Sequence, residues 1–135
     1  MTGYSGTPLL KKLGIKEGHQ VLVIGEPKEY WDWISPLPNG VTVSKRASKP
    51  TLDFVHLFVT DKKIYQKEVL RLTKLIKADG MIWISWPKKS SGVTSDLDEN
   101  IIRNFALKNK LVDIKGCAVD EVWSGLKLVV PVKWR

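Results

Sequence analysis

The sequence has few of the side chains that build metal and redox sites. It contains one cysteine, Cys117, and two histidines, His19 and His56. A single cysteine excludes an internal disulfide and a cysteine cluster for zinc or an iron-sulfur centre, so we expect a buried thiol at Cys117. The histidines have neither metal-ligand spacing nor a carboxylate-histidine motif nearby, and we expect both to be structural. We therefore expect no metal site and no catalytic residue among them.

Long apolar runs are also absent. No stretch approaches the roughly 20 apolar residues that a membrane-spanning helix requires, and the amino terminus lacks the pattern of a secretion signal. With 135 residues, of which 43% are hydrophobic and 27% charged, the chain has the composition of a globular protein. We expect a single cytoplasmic domain over residues 1–135 with no membrane partner.

Negative charge is scarce relative to positive charge. The chain has 22 Lys and Arg against 14 Asp and Glu, a net charge of +8, which favours anionic partners. The lysines are scattered, however, and this distribution is typical of a solvated surface. We expect the partner to be a phosphate-bearing small molecule. If the partner is nucleic acid instead, we expect it to bind the basic face of residues 62–77.

Apolar runs rich in branched residues predict strands buried on both faces. These runs are QVLVIG at 20–25, LDFVHLFVT at 52–60 and MIWISW at 81–86, with a shorter strand at 41–45. Residues 111–119 and 122–130 predict two final strands. The short Asp120-Glu121 turn between them requires antiparallel pairing.

Capping residues and helical spacing predict four helices. The first follows Thr7 as its cap and stops at Gly14; the second covers 28–35; the third follows an Asp61 cap and runs to about 77; the fourth starts with a capping box at 95–98 and runs to about 109. The inward residues are expected to be Tyr65, Val69, Leu72 and Ile76 on the third helix and Ile101, Phe105 and Ala106 on the fourth.

The alternation of strands and helices predicts an α/β fold of three Rossmann-like layers, with a mostly parallel sheet and a C-terminal antiparallel hairpin. One link does not suit this fold, because only residues 46–51 separate two strands that should be parallel. A parallel crossover usually needs a dozen residues or more. Either the strand at 41–45 is an irregular edge strand, or the link crosses the sheet nearly fully extended.

The order of segments resembles a class I S-adenosylmethionine-dependent methyltransferase. The resemblance is carried by LGIKEGHQVLVIG, LDFVHLF, IKADGMIWISW and the closing hairpin, and it implies a truncated fold that lacks a strand and two helices. More specifically, GYSGTPL, WPKKSSG and AVDEVWSGLK resemble a family of short bacterial proteins known as domain of unknown function 3052. That family implies an architecture and no reaction.

The turn after the first strand departs from the methyltransferase pattern. Nucleotide-binding proteins place several glycines there, whereas Gly25 stands alone and is followed by the acidic Glu26 and by Pro27, which has no amide hydrogen. The second strand ends in Lys45 and Arg46 instead of an acidic residue that would bind ribose. We therefore expect Gly25 to be an ordinary turn glycine in a crowded turn, and no bound cofactor.

These departures predict a non-catalytic binding or regulatory domain. Two alternatives remain open: a methyltransferase with an atypical cofactor site, and a nucleic-acid-binding protein.

The loop at 85–96 is the predicted ligand site, because it follows a buried strand and precedes a helix amino terminus. It offers two ammonium groups, four hydroxyls and one glycine for an anion such as phosphate: Lys88, Lys89, Ser90, Ser91, Gly92, Thr94 and Ser95. A structural role is the competing interpretation. In that case Lys88 and Lys89 pair with Asp120 and Glu121.

Six tryptophans are many for this length. Trp83, Trp86 and Trp123 fall in predicted strands and are expected in the core. Trp31 and Trp33 lie on opposite sides of a short helix, so we expect one of them to be exposed as a contact surface, which would suit a homo-oligomer.

Overall fold

A computed structural model describes residues 8–135. The strands are β1 Gln20–Ile24, β2 Thr42–Ser44, β3 Leu52–Phe58, β4 Ile76–Pro87, β5 Val112–Ala118 and β6 Trp123–Val129. The helices are α1 Leu9–Leu13, α2 Tyr30–Trp33, α3 Lys62–Thr73 and α4 Glu99–Lys108, with 3-10 turns at Lys89–Ser91 and Val132–Trp134. The predicted cap Thr7, and most of the GYSGTPL motif, fall outside the described residues. None of the helices within residues 8–135 is long and apolar enough to cross a membrane.

The strands form one six-stranded sheet in the order β2-β1-β3-β4-β6-β5. β1 is parallel to β2 and β3, and β3 is parallel to β4, whereas β6 is antiparallel to both β4 and β5. The predicted fold class is thereby confirmed, including the antiparallel hairpin. The chain leaves β1 toward β2 on one side and then enters β3 on the other, so the sheet has a switch point between β1 and β3.

The short link between β2 and β3 passes from one side of β1 to the other without a helix. β2 is only three residues long and lies at the sheet edge. Ala47 in the link packs on the same side of the sheet as α3 and α4. The sequence correctly predicted an edge strand here, since β2 is short and lies at the sheet edge. The alternative of a nearly fully extended link is wrong, because residues 48–50 bend and the Thr51 amide bonds to the Lys49 carbonyl at 2.8 Å.

Two cores cover the faces of the sheet, and β3 contributes alternate residues to both. Val55 and Leu57 face α3 and α4 in what we call the α3–α4 core. Phe54 and Phe58 face α1 and α2 in the α1–α2 core. All four side chains are buried, which explains why this segment is mostly apolar instead of alternating between apolar and polar residues.

The third helix begins as predicted and ends earlier. The Asp61 carboxylate accepts a hydrogen bond from the Ile64 amide at 2.9 Å, which confirms the cap. α3 stops at Thr73. Ile76 is buried as predicted, but it is the first residue of β4, where it pairs with Leu52 of β3.

The fourth helix starts later than the predicted capping box. Asp98 is the cap, and its carboxylate accepts from the Ile101 amide at 2.8 Å. Ser95 instead donates to the Thr60 carbonyl at 2.7 Å, which ties the loop to the end of β3.

The buried residues of α4 are Ile102 and Ala106, while Ile101 and Phe105 are half-buried at its edge. The predicted inward position of Ala106 is correct. Ile101 and Phe105 also pack against the core as predicted, and the prediction missed only Ile102, which is fully buried.

A chain of buried polar side chains crosses the α1–α2 core. The Tyr30 hydroxyl lies 2.9 Å from Nδ1 of His56, and Nε2 of His56 lies 2.7 Å from the Ser85 hydroxyl. All three side chains are fully buried, and the His56 ring stacks on Phe58 with centroids 4.3 Å apart. These hydrogen bonds join α2, β3 and β4, so His56 has the structural role expected of it.

Burial also fixes the protonation of these groups. Desolvation lowers the pKa of His56 to about 3, so the ring is neutral at pH 7. Desolvation, with the nearby negative charge of Glu26 as a smaller cause, raises the pKa of Tyr30, whose hydroxyl stays protonated. A neutral imidazole donates from one nitrogen and accepts at the other, which suits two hydroxyl partners.

We expect His56 to make the protein sensitive to mild acid. The pKa of about 3 in the folded state lies below the ordinary value of 6.5, so the unfolded chain binds the proton first as the pH falls. The free energy of unfolding should then decrease by up to about 1.4 kcal/mol per pH unit between roughly pH 6 and pH 4. Denaturant unfolding at several pH values measures this slope.

A His56→Gln variant should lose about 1–3 kcal/mol at pH 7, because one hydrogen-bond partner is left unpaired, yet show a flatter pH slope. His19→Gln is the control, since His19 is half-exposed and accepts only the Lys16 amide. Equal slopes in His56→Gln and the unsubstituted protein would contradict this account.

Candidate functional site

The switch point of the sheet places two strand ends side by side. Ile24 at the end of β1 pairs with Leu57 near the end of β3. In open α/β sheets, ligands bind beyond the carboxyl ends of the strands at such a point. Gly25 and Glu26 leave β1 on one side of this crevice, and Thr60 follows β3 on the other.

Gly25 is required by the backbone around it. It has a left-handed φ of +73° and is exposed to solvent. A Cβ added to Gly25 would lie 2.6 Å from the carbonyl oxygen of Phe58, closer than real side chains approach backbone. The expectation of a turn glycine in a crowded turn is confirmed on the side that faces β3, while the other side of Gly25 is open to solvent.

Glu26 is held in place at the mouth of the crevice. Its carboxylate accepts a hydrogen bond from Nε1 of Trp31 at 3.2 Å, and the Trp31 ring packs edge-on against Tyr30 with centroids 5.3 Å apart. Trp31 and Trp33 are both half-buried against the α1–α2 core. The expectation that one of them is exposed is wrong, and sequence reasoning missed the Glu26 contact, which forms across the Pro27 turn.

The end of β2 supplies positive charge. Lys45 and Arg46 follow Ser44 and are exposed. Neither forms an ion pair with a carboxylate of residues 8–135. The end of β2 therefore carries two positive charges at the position where a standard nucleotide-binding site has an acidic residue.

The predicted anion loop uses several of its polar groups internally. The Ser91 hydroxyl donates to the Lys88 carbonyl at 2.6 Å, and the Ser95 hydroxyl donates to Thr60. Nζ of Lys88 donates to the Asp120 carbonyl at 2.8 Å. Those three side chains hold the loop in shape.

The predicted pairing of lysines with acids takes a different form. Lys88 contacts the backbone of Asp120, while the Asp120 carboxylate accepts the amides of Val122 and Trp123 at 2.9 and 2.7 Å. The remaining groups of the predicted loop site are exposed: Lys89, Ser90, Gly92 and Thr94. An anion site built from them stays a prediction.

No protein-family model matches the sequence, and no curated protein matches it. Solved structures do match the fold. A SAM-dependent methyltransferase from Aquifex aeolicus superposes with a TM-score of 0.66 at 15% identity, covering 90% of this chain and 87% of that one. The chain has a class I methyltransferase fold.

Two further solved structures agree. A putative type 11 methyltransferase from Sulfolobus solfataricus has a TM-score of 0.60 at 13% identity, over 83% of this chain and 84% of its own. Magnesium protoporphyrin IX methyltransferase from Synechocystis PCC 6803, solved with bound SAM, has a TM-score of 0.57 at 10% identity, over 90% and 74% of the two chains. At identities this low, the structural likeness establishes the fold alone.

These matches correct the functional expectation. The sequence predicted a non-catalytic binding or regulatory domain, whereas the structural neighbours are methyltransferases. The expectation rested on the missing glycines of one turn, whereas the likeness to the Aquifex aeolicus methyltransferase covers 90% of the chain.

We expect Gly25→Ala to destabilise the protein by about 2–4 kcal/mol. A left-handed alanine costs about 1–2 kcal/mol, and the clash with the Phe58 carbonyl adds a similar amount. Gly92→Ala is a matched control, because Gly92 has a φ of +79° but no atom within 4 Å of an added Cβ. Gly92→Ala should lose only about 1–2 kcal/mol, which is what a left-handed alanine costs. Denaturant unfolding measures both, and equal losses would contradict the close approach of β1 and β3.

Proposed function

We propose that this protein is an S-adenosylmethionine-dependent methyltransferase with an atypical cofactor site at the crevice between β1 and β3. The observation that carries the proposal is Gly25, a required left-handed glycine exposed at the switch point of a methyltransferase fold. A glycine in this position lets a ligand approach the backbone without a side chain in the way.

The residues around Gly25 suit the methionine half of that cofactor. S-Adenosylmethionine, when bound, supplies a methyl group on a positively charged sulfur. Glu26 would hold this half, because its carboxylate can balance the sulfonium and ammonium charges. The hydrogen bond from Trp31 orients that carboxylate at the crevice. Glu26 and Gly25 therefore supply charge and access on the same turn.

The ribose half lacks its usual partner. Lysine and arginine carry only hydrogen-bond donors, so Lys45 and Arg46 cannot accept from ribose hydroxyls as an acidic residue would. Their positive charge also opposes a cationic ligand. We infer that this end of the site makes the cofactor site atypical and lowers its affinity for S-adenosylmethionine.

We also propose kinship with domain of unknown function family 3052. Two segments that carry this resemblance, WPKKSSG and AVDEVWSGLK, pack together in the fold. The Lys88 amide donates to the Val122 carbonyl at 2.7 Å, and Trp86 pairs with Ser124 across β4 and β6. Contact between the two segments supports reading them as one structural signature.

We expect calorimetric titration with S-adenosylmethionine to give saturable heat for the unsubstituted protein. Gly25→Ala should remove that heat at a temperature where circular dichroism shows the variant folded, because the added methyl displaces the turn. Gly92→Ala should retain it. An absence of heat at millimolar cofactor would contradict the proposed function.

We expect Lys45→Asp to bind S-adenosylmethionine about tenfold more tightly, which corresponds to about 1.4 kcal/mol. The substitution removes a repelling charge and supplies an acceptor for hydroxyls. Lys49→Asp, on the exposed link after β2, is a control for the change in net charge. Equal affinities in these two variants would show that the ribose does not lie at the end of β2.

A further inference from the structure

The β5–β6 hairpin places two lysines directly opposite each other. Lys115 of β5 and Lys127 of β6 are partners in the antiparallel register, and both lie on the face that α1 covers. Like charges at opposed positions destabilise a sheet. The pair is separate from the crevice, since Lys127 also pairs with Trp83 in the body of β4.

The end of α1 brings these ammonium groups close to further positive charge. Nζ of Lys115 donates to the Lys12 carbonyl at 3.2 Å, and Nζ of Lys127 lies 3.6 Å from the position of a Cβ on Gly14. Burial lowers the pKa of Lys127, and the positive charges of Lys115 and Lys16 lower it further. Lys115 and Lys127 therefore face each other beside the end of α1.

Of the backbone carbonyl groups at the end of α1, one accepts a hydrogen bond from Lys115 and none accepts one from Lys127. The Lys12 carbonyl binds Lys115, but the Leu13 carbonyl is used by Nε1 of Trp83 at 2.8 Å, and the Leu10 carbonyl by the Gly14 amide at 3.2 Å.

No oxygen within residues 8–135 accepts a hydrogen bond from Nζ of the half-buried Lys127. Within the same residues, no carboxylate pairs with Lys16, Lys115 or Lys127. Residues 1–7, MTGYSGT, contain no Asp or Glu. No carboxylate of residues 8–135 therefore compensates the positive charge at this place.

We infer that Lys115 and Lys127 form a binding site for a phosphate group, carried either by inorganic phosphate or by a phosphomonoester. A phosphate group offers several acceptor oxygens and up to two negative charges, and lysine binds phosphate as a point charge. An anion bound between the lysines would offset their mutual repulsion, because it attracts both ammonium groups. The site lies apart from the proposed cofactor crevice and does not depend on it.

Thermal unfolding in phosphate, compared with sodium chloride at equal ionic strength, tests the site. At ten times the dissociation constant, phosphate should raise the unfolding midpoint by about 4 °C. Glycerol 3-phosphate, a phosphomonoester without an adenosyl group, forms the second arm, and a larger response to it than to phosphate would identify a phosphomonoester as the ligand. A midpoint that responds no more to either anion than to chloride would overturn the proposal.

Two variants separate binding from a structural role of the lysines. Lys127→Met and Lys115→Met should unfold at an equal or higher temperature without phosphate, because a like charge is removed, and should lose the phosphate response. Lys63→Met, at an exposed position of α3, should keep the response. A lower midpoint for Lys127→Met together with an intact phosphate response would mean that this lysine only stabilises the fold.

Discussion

The pairing of β3 between β1 and β4 is the constraint on which the rest of the structure depends. β3 is parallel to both neighbours and covered on both faces. Its alternate side chains supply both cores, and its buried His56 ties α2 to β4 through two hydroxyls. The carbonyl at its last residue, Phe58, then decides which side chain the neighbouring turn can hold. Packing in the centre thus shapes the crevice at the edge.

The buried strands could be predicted because their residues carry the signal themselves. Residues 52–58 and 81–86 are mostly apolar and do not alternate with polar residues, which indicates strands covered on both faces. The ends of elements were less predictable. Ser95 and Asp98 both suit a helix cap, and the choice of Asp98 depends on the bond from Ser95 to Thr60, a contact between distant segments. Likewise, β4 begins at Ile76 because Leu52 pairs with it, which no local pattern shows.

The candidate site was less predictable than the fold, since its key contacts join residues far apart in sequence. A single glycine after a strand is a weak signal, and the need for Gly25 comes from the backbone of β3. Lys115 and Lys127 appear in sequence as two more scattered lysines, and only the hairpin register places them face to face. The charges that sequence does show directly, at Lys45 and Arg46, were correctly located at the end of β2.

The helix-free link after β2 has a consequence for local stability. With only three residues in its ladder and mostly exposed side chains, β2 is the strand that can detach at least cost, so its amide hydrogens should exchange through partial opening rather than through global unfolding. Lys45 and Arg46 directly follow this weakly held edge strand, whereas Gly25 packs against β3. A molecule that contacts both places would hold β2 against the rest of the sheet. Its binding would therefore slow hydrogen exchange at the amides of β2.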